Sequence, residues 1–185
     1  VFLALLSCVH ADAAWRDGGH LTAAAAGLGV PHPTGFPLYV VVAHFVSLLP
    51  IGSIPFRVAL ISALAIAGAT ALVFQLLRAH QMRSVPALLV ALCLPASFIG
   101  WLNGTLAEVY ALNAFVLAFF LYDILRPTPH WKRAAFTTGL GLGGHVTFPL
   151  IAGIVWVVST SRHKSWREFP RWIPWGVFGA LVLGV

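Results

Sequence analysis

Two carboxylates, Asp12 and Asp17, stand in one polar stretch, Asp12-Ala-Ala-Trp-Arg-Asp-Gly-Gly-His20, ahead of the stiff run Pro31-His-Pro-Thr-Gly-Phe-Pro37. The chain is 59% hydrophobic and only 9% charged. An ionisable group beside an apolar run is costly to place, so such groups are the first candidates for chemistry. Asp17 is followed by Gly18-Gly19, which lets the backbone turn sharply and approach a ligand. A carboxylate held beside apolar surface is a candidate general base. The same residue equally suits the N-cap of a helix starting near Leu21, a role that needs no chemistry. Prolines on both sides of His32 hold that imidazole in extended or turned backbone, as a ligand contact or a plain lead-in loop would require.

Glu108 opens another apolar segment, Leu106-Ala-Glu-Val-Tyr-Ala-Leu-Asn113. A negative charge there complements the helix macrodipole without any further role. Tyr110 and Asn113 lie deeper in the segment, and an Asn inside a lipid-embedded helix turns inward toward a partner. His145 falls in Gly143-Gly-His-Val-Thr147, between two apolar stretches. Gly139-Leu-Gly-Leu-Gly-Gly144 lacks the preceding strand of a dinucleotide-binding loop and reads as close helix packing. The eight histidines show no metal-binding spacing, and Cys8 and Cys93 form no Cys/His motif. No metal site and no cofactor are expected.

These groups need elements to position them. A mean hydropathy of +0.91 with repeated apolar runs predicts an all-α, polytopic transmembrane helix bundle, read as a single domain over 1–185 and cut at both ends. Spans are expected over about 56–79, 86–102 and 108–125, with a truncated last span from 173. The stretch 134–160 reads as one long span or as a hairpin folded at 143–147, where paired glycines weaken a continuous helix. A first outer loop occupies about 10–36. The apolar stretch of about 36–50 would extend only ~22 Å as a helix, short of a hydrocarbon core of roughly 30 Å, and is expected to lie in the interface.

Basic residues arbitrate between these topologies, because cytoplasmic loops collect Lys and Arg. With 36–50 not crossing and 134–160 a hairpin, Arg78, Arg83, Arg126, Lys132, Arg133, Arg162, Lys164, Arg167 and Arg171 share one face, against Arg16 and Arg57 on the other. That arrangement puts Asp17, His20, His32, Glu108 and His145 together at the non-cytoplasmic face. The formal charge of +6 is accounted for by these loop clusters, and nucleic acid is not expected as a partner.

Trp15-Arg-Asp-Gly-Gly-His-Leu21, Gly29-Val-Pro-His-Pro-Thr-Gly-Phe-Pro-Leu-Tyr39, Ala107-Glu-Val-Tyr-Ala-Leu-Asn113 and Gly144-His-Val-Thr147, taken in order, resemble a multi-pass family long catalogued as a domain of unknown function. Its animal relatives are protein O-mannosyltransferases, and it belongs to the GT-C superfamily of membrane glycosyltransferases. The family loop usually reads Asp-Ser-Gly-Glu-Leu and His-Pro-Pro-Gly-Tyr-Pro-Leu. The resemblance therefore implies a catalytic acid at Asp17 and the His-Pro turn at His32-Pro33. Thr34 and Phe36 are mild departures. His20 stands where the family has Glu, and Gly144 stands where Asn commonly precedes the His, which removes a second carboxylate and an amide from the expected set.

The resemblance implies transfer of a sugar, mannose as first guess, from a polyprenyl-phosphate donor to a hydroxyl of a protein or glycan acceptor. Asp17 would take the acceptor proton. His20, His32, Glu108, Tyr110, Asn113 and His145 would line the substrate site. Such a chain is an integral membrane protein of the bacterial plasma membrane or the eukaryotic endoplasmic reticulum. The competing class is a transporter or flippase-like protein, in which broken helices and intramembrane polar groups are equally at home. A transporter tends to show repeated halves with polar groups near the midplane, whereas this sequence has no internal repeat.

Overall fold

The structure, a computed structural model, describes residues 1–12, 16–31 and 35–182. The described residues form helices and no strand. In chain order they are α1 (Phe2–Leu6), α2 (Gly18–Gly27), α3 (Pro37–Ser47), α4 (Ile54–Ala79), α5 (Ser84–Ala96), α6 (Phe98–Thr105), α7 (Val109–Leu125), α8 (Trp131–Leu142), α9 (Thr147–Arg162), a 3-10 turn over Trp166–Arg171, and α10 (Ile173–Leu181).

The long axis of the bundle is α4, which packs against α1, α2, α3, α5, α6 and α7. Its start is well specified. Ser53 accepts the Phe56 N–H at 3.3 Å, and Pro55 sits in the first turn, where a missing N–H costs nothing. Ala59, Ala63, Ile66 and Ala69 line a buried stripe at helical spacing. Small side chains let α7 lie close, and an added Cβ at Gly68 would come within 2.7 Å of the Phe115 ring on α7.

With 26 residues, α4 is long and apolar enough to cross a membrane, and α5 with α6 supplies a second candidate if their bend belongs to one crossing. The 17 residues of α7 would extend ~25 Å, shorter than a hydrocarbon core of roughly 30 Å.

The span expected over 86–102 is divided, with α5 and α6 bent by 63°. Pro95 removes a donor in the last turn of α5. Ser97 then takes extended backbone and caps α6, its hydroxyl accepting the Gly100 N–H at 3.0 Å. An added Cβ at Gly100 would overlap the Leu94 carbonyl, so the reversal needs glycine there. The opening apolar segment holds only the short α1, whose Leu5 is buried against Gly104 and Ile66.

Over 134–160 the chain forms α8 and α9, interrupted at 143–146. Trp131, at the start of α8, stacks on Trp156 and meets His163 just past the end of α9, so the two helices run antiparallel. Trp131 also stacks on Trp172 at 4.6 Å, which brings α10 onto the pair. Gly139 and Gly179 allow α8 and α10 to touch backbone to backbone, since a Cβ at either would overlap the facing main chain.

Candidate functional site

Asp17 is the N-cap residue of α2, with no side-chain hydrogen bond to the first turn of that helix. Arg16, immediately before it, has φ 56°, in the left-handed region that L-residues occupy rarely. The turn docks on the segment leading into α7: Gly18 faces Ala107, with an added Cβ lying 3.8 Å from the Ala107 carbonyl oxygen. One residue on, the Glu108 side chain is 1% exposed and its Oε1 lies 3.6 Å from Arg16 Nε. Glu108 precedes α7 in extended backbone. Its main-chain N–H and C=O both meet Ser62 Oγ of α4, at 3.4 and 3.5 Å. The Glu108 main chain is thus held from α4, and its buried carboxylate is charge-matched from the Asp17 turn.

Tyr39 of α3 belongs to the same core, 1% exposed, among Leu21, Ala25, Phe36, Ala107 and Val109. Its hydroxyl has no hydrogen-bond partner among the described residues. Burial, and secondarily the Glu108 charge, push its phenol well above the ordinary tyrosine range.

The loop between α8 and α9 closes the other side. Leu38 N–H donates to the Gly143 carbonyl at 3.0 Å, tying the start of α3 to the loop. His145 lies parallel to Phe36 at 6.1 Å between centroids and against Tyr110 at 5.1 Å. Asn113 Nδ2 donates to Thr147 Oγ1 at 3.3 Å, and that hydroxyl lies 3.0 Å from His145 Nδ1. The Thr147 N–H also points at Nδ1, at 3.3 Å. Nδ1 therefore accepts, the threonine hydroxyl donates to it, and Nε2–H is left as the donor that His145 offers outward.

Of the residues singled out from sequence, Asp17, Glu108, Tyr110, Asn113 and His145 gather at one end of α7. His20 stands exposed on α2, and no hydrogen bond, ion pair or ring contact joins it to this cluster among the described residues. His32 lies outside the described residues, as do Trp15 and Thr34.

Sequence reasoning passed over two groups. Arg16 was counted only as a loop charge, although its place beside Asp17 was a usable signal. Asp123, fully buried near the opposite end of α7, lies 3.3 Å from Arg133 Nη2 and 3.6 Å from His130 Nδ1. An acid inside an apolar run followed by a basic loop was the signal there.

The family model described as "Protein O-mannosyl-transferase TMEM260 N-terminal domain" matches residues 17–167. Protein O-mannosyl-transferase TMEM260 of Mus musculus is 36% identical over 98 residues, covering 52% of this chain and 14% of that protein. The chain thus matches a small part of the length of this relative. No solved structure matches.

Proposed function

Because the chain belongs to the Protein O-mannosyl-transferase TMEM260 N-terminal domain family, we propose that its polar cluster activates the acceptor in a GT-C type glycosyltransferase embedded as a polytopic helix bundle. The observation that carries this reading is the packing of three sequence-distant pieces into one cluster: the Asp17 turn, the start of α7 and the His145 loop. A purely structural bundle has no need to bring two carboxylates, an arginine and a histidine together at one end.

In this reading Asp17 takes the proton of an acceptor hydroxyl on a protein or glycan. The oxygen attacks C1 of the sugar, mannose as first choice, and the polyprenyl phosphate leaves from the opposite side with inversion. His145 offers its Nε2–H to the donor, held by Thr147 and Asn113. His20 and His32 border the same substrate. Tyr110 and Phe36 give His145 aromatic faces to lie on, and Glu108 acts from within. No metal or cofactor is required, since the donor brings its own leaving group. The reaction takes place at the non-cytoplasmic face, in the endoplasmic reticulum of a eukaryote or the plasma membrane of a bacterium.

The test is transfer from radiolabelled polyprenyl-phosphate sugars to membrane protein and lipid fractions, comparing the full-length protein with Asp17→Asn at equal expression. Loss of a general base is expected to lower the rate by about 10²–10⁴-fold. Unchanged transfer, or no transfer by either protein across mannose, glucose and arabinose donors, sinks the reading and favours a transporter.

A further inference from the structure

We propose that the groove between α7 and α8, at the end of α7 away from the Asp17 cluster, binds one anionic phospholipid of the cytoplasmic leaflet. Its acyl chain lies in the groove and its phosphate meets Arg126 and Arg133. Such a site requires the membrane placement proposed above but none of the transfer chemistry.

The sequence of α7 sets up the groove. Phe115, Phe119, Tyr122 and Arg126 recur at steps of four, three and four, which places them on one face of a helix. The rings of Phe115 and Phe119 lie 6.4 Å apart between centroids. Arg126 lies over the Tyr122 ring at 5.3 Å, and Arg133 reaches across from α8 to lie over Phe119 at 5.2 Å. Between the two helices runs a groove of about 400 Å³, within the roughly 300–1,000 Å³ of small-ligand clefts. Phe115, Phe119, Phe136 and Leu140 line it, and Arg133, in the first turn of α8, stands at one end. Thr137 also lines it, with its hydroxyl spent on the Arg133 carbonyl at 2.8 Å. The walls therefore offer hydrocarbon along their length and positive charge at one end.

Two arginines meet one acid there. Asp123 is fully buried, with Arg133 Nη2 at 3.3 Å and His130 Nδ1 at 3.6 Å, and Arg133 itself is half-exposed. Arg126 forms no hydrogen bond or ion pair with the described residues, and its buried Nε–H has no acceptor among them. The positive charge thus exceeds what the buried acid neutralises, and a donor removed from water without an acceptor is costly. A phosphodiester answers both, since a guanidinium fork matches phosphate geometry. Free phosphate would leave the groove unfilled, and a neutral lipid would leave Arg126 unanswered. In the topology adopted above, residues 126–130 lie on the cytoplasmic side, where anionic lipids concentrate. The 17 residues of α7 put this end ~25 Å from Glu108, so the lipid is distinct from a donor bound at the Asp17 cluster. At their other ends α7 and α8 lead to Glu108 and to the His145 loop, so a lipid bridging the two helices steadies the walls of that site.

The experiment places the full-length protein in phosphatidylcholine vesicles containing a small fraction of phosphatidylglycerol with a photoreactive acyl chain, and maps the labelled peptides by mass spectrometry. Label is expected on the peptides carrying Phe115–Phe119 and Phe136–Leu140, displaced by unlabelled phosphatidylglycerol and not by added phosphatidylcholine. Arg126→Gln should weaken that displacement about fivefold, the worth of one cation at an anionic surface. Lys132→Gln removes an equal charge nearby, but Lys132 Nζ lies over Trp175 of α10 rather than in the groove, and labelling should be unchanged. Leu140→Trp fills the groove while keeping every charge and should abolish the label. Phosphatidylglycerol should also raise the melting temperature of the wild type and not that of Arg126→Gln.

Equal losses in Arg126→Gln and Lys132→Gln would overturn the proposal, leaving only diffuse attraction between a basic loop and the membrane. So would equal displacement by phosphatidylcholine, stronger displacement by polyprenyl phosphate, or a groove that takes no label because another part of the full-length chain covers it. Carbonate extraction separates the two levels. A protein that stays in the membrane without groove label rejects the lipid site alone, whereas a protein released by carbonate rejects the membrane bundle and this site together.

Discussion

Gly141 of α8 tests how the helical hairpin holds the His145 loop. A Cβ added there would overlap three atoms of the Phe148 ring, inside the separation real Cβ atoms tolerate. The ring would have to retreat by about 1 Å to regain ordinary contact, and it has little room, being fully buried and set edge-on to the equally buried Phe120 at 5.8 Å. Phe148 directly follows Thr147, whose hydroxyl joins Asn113 to His145. Displacement of the ring therefore disturbs the hydrogen bonds that orient the imidazole.

Overpacking of this kind costs about 1–3 kcal/mol, which for a chain of this size lowers the melting temperature by roughly 3–10 °C. Gly141→Ala should show that fall in thermal unfolding of the detergent-solubilised protein, with a parallel loss of transferase activity. Phe148→Leu in the same background removes the overlapping ring and should restore most of both. The two substitutions should then be less damaging together than the sum of their separate effects, with a coupling of about 1 kcal/mol or more. Gly141→Ala with wild-type melting and activity, or strict additivity of the pair, would refute the packing argument.

Three further outcomes follow from the same geometry. Arg133→Ala leaves Asp123 buried with only His130 and the Arg126 charge to match it among the described residues, and should cost about 3 kcal/mol in denaturant titration. Asp123→Asn removes the buried charge while the half-exposed Arg133 keeps solvent and the Phe119 ring, and should cost only about 1 kcal/mol; equal losses would contradict this. Tyr39→Phe removes a buried hydroxyl that has no hydrogen-bond partner among the described residues, so stability at neutral pH should hold or rise by about 1 kcal/mol. Because burial and Glu108 raise this phenol above its ordinary 10.0, the unfolded chain ionises first. Wild-type stability should therefore fall as pH rises past 10.0, and less so in Tyr39→Phe; identical alkaline profiles would argue otherwise. In a background lacking the exposed Cys8 and Cys93, Thr147→Cys should react with an impermeant maleimide from the non-cytoplasmic side and Ser165→Cys should not. Equal labelling would remove the topology.

Helical structure was legible because apolar runs of this length, broken by Pro, Gly and short basic clusters, have few other ways to satisfy their backbone. The family was legible for a different reason. Asp17-Gly-Gly, His32-Pro33, Glu108-Val-Tyr and His145-Val-Thr keep their order and local chemistry along the chain. The bend at Ser97 was not legible as a bend. Pro95 and Gly100 are both tolerated in lipid-embedded helices, and only the structure shows Ser97 leaving the helix to cap α6 while Gly100 makes room for the Leu94 carbonyl. Asp123 went unremarked because an acid near a helix end looks like a surface charge until Arg133 and His130 close over it.

Composition alone determined that this chain forms helices suited to apolar surroundings, since the transfer of side chains and backbone out of water depends on residue type and local order. Which polar groups meet was decided by tertiary packing. The Arg16–Glu108 pair, the contact of Gly18 with Ala107 and the seating of His145 between Phe36 and Tyr110 join segments far apart in the chain. Small residues on α4 and α8 set how closely the helices approach. Charge pairing and hydrogen bonding depend on distances of a few ångströms, and no local pattern of residues encodes a distance between segments that only the packed core brings together.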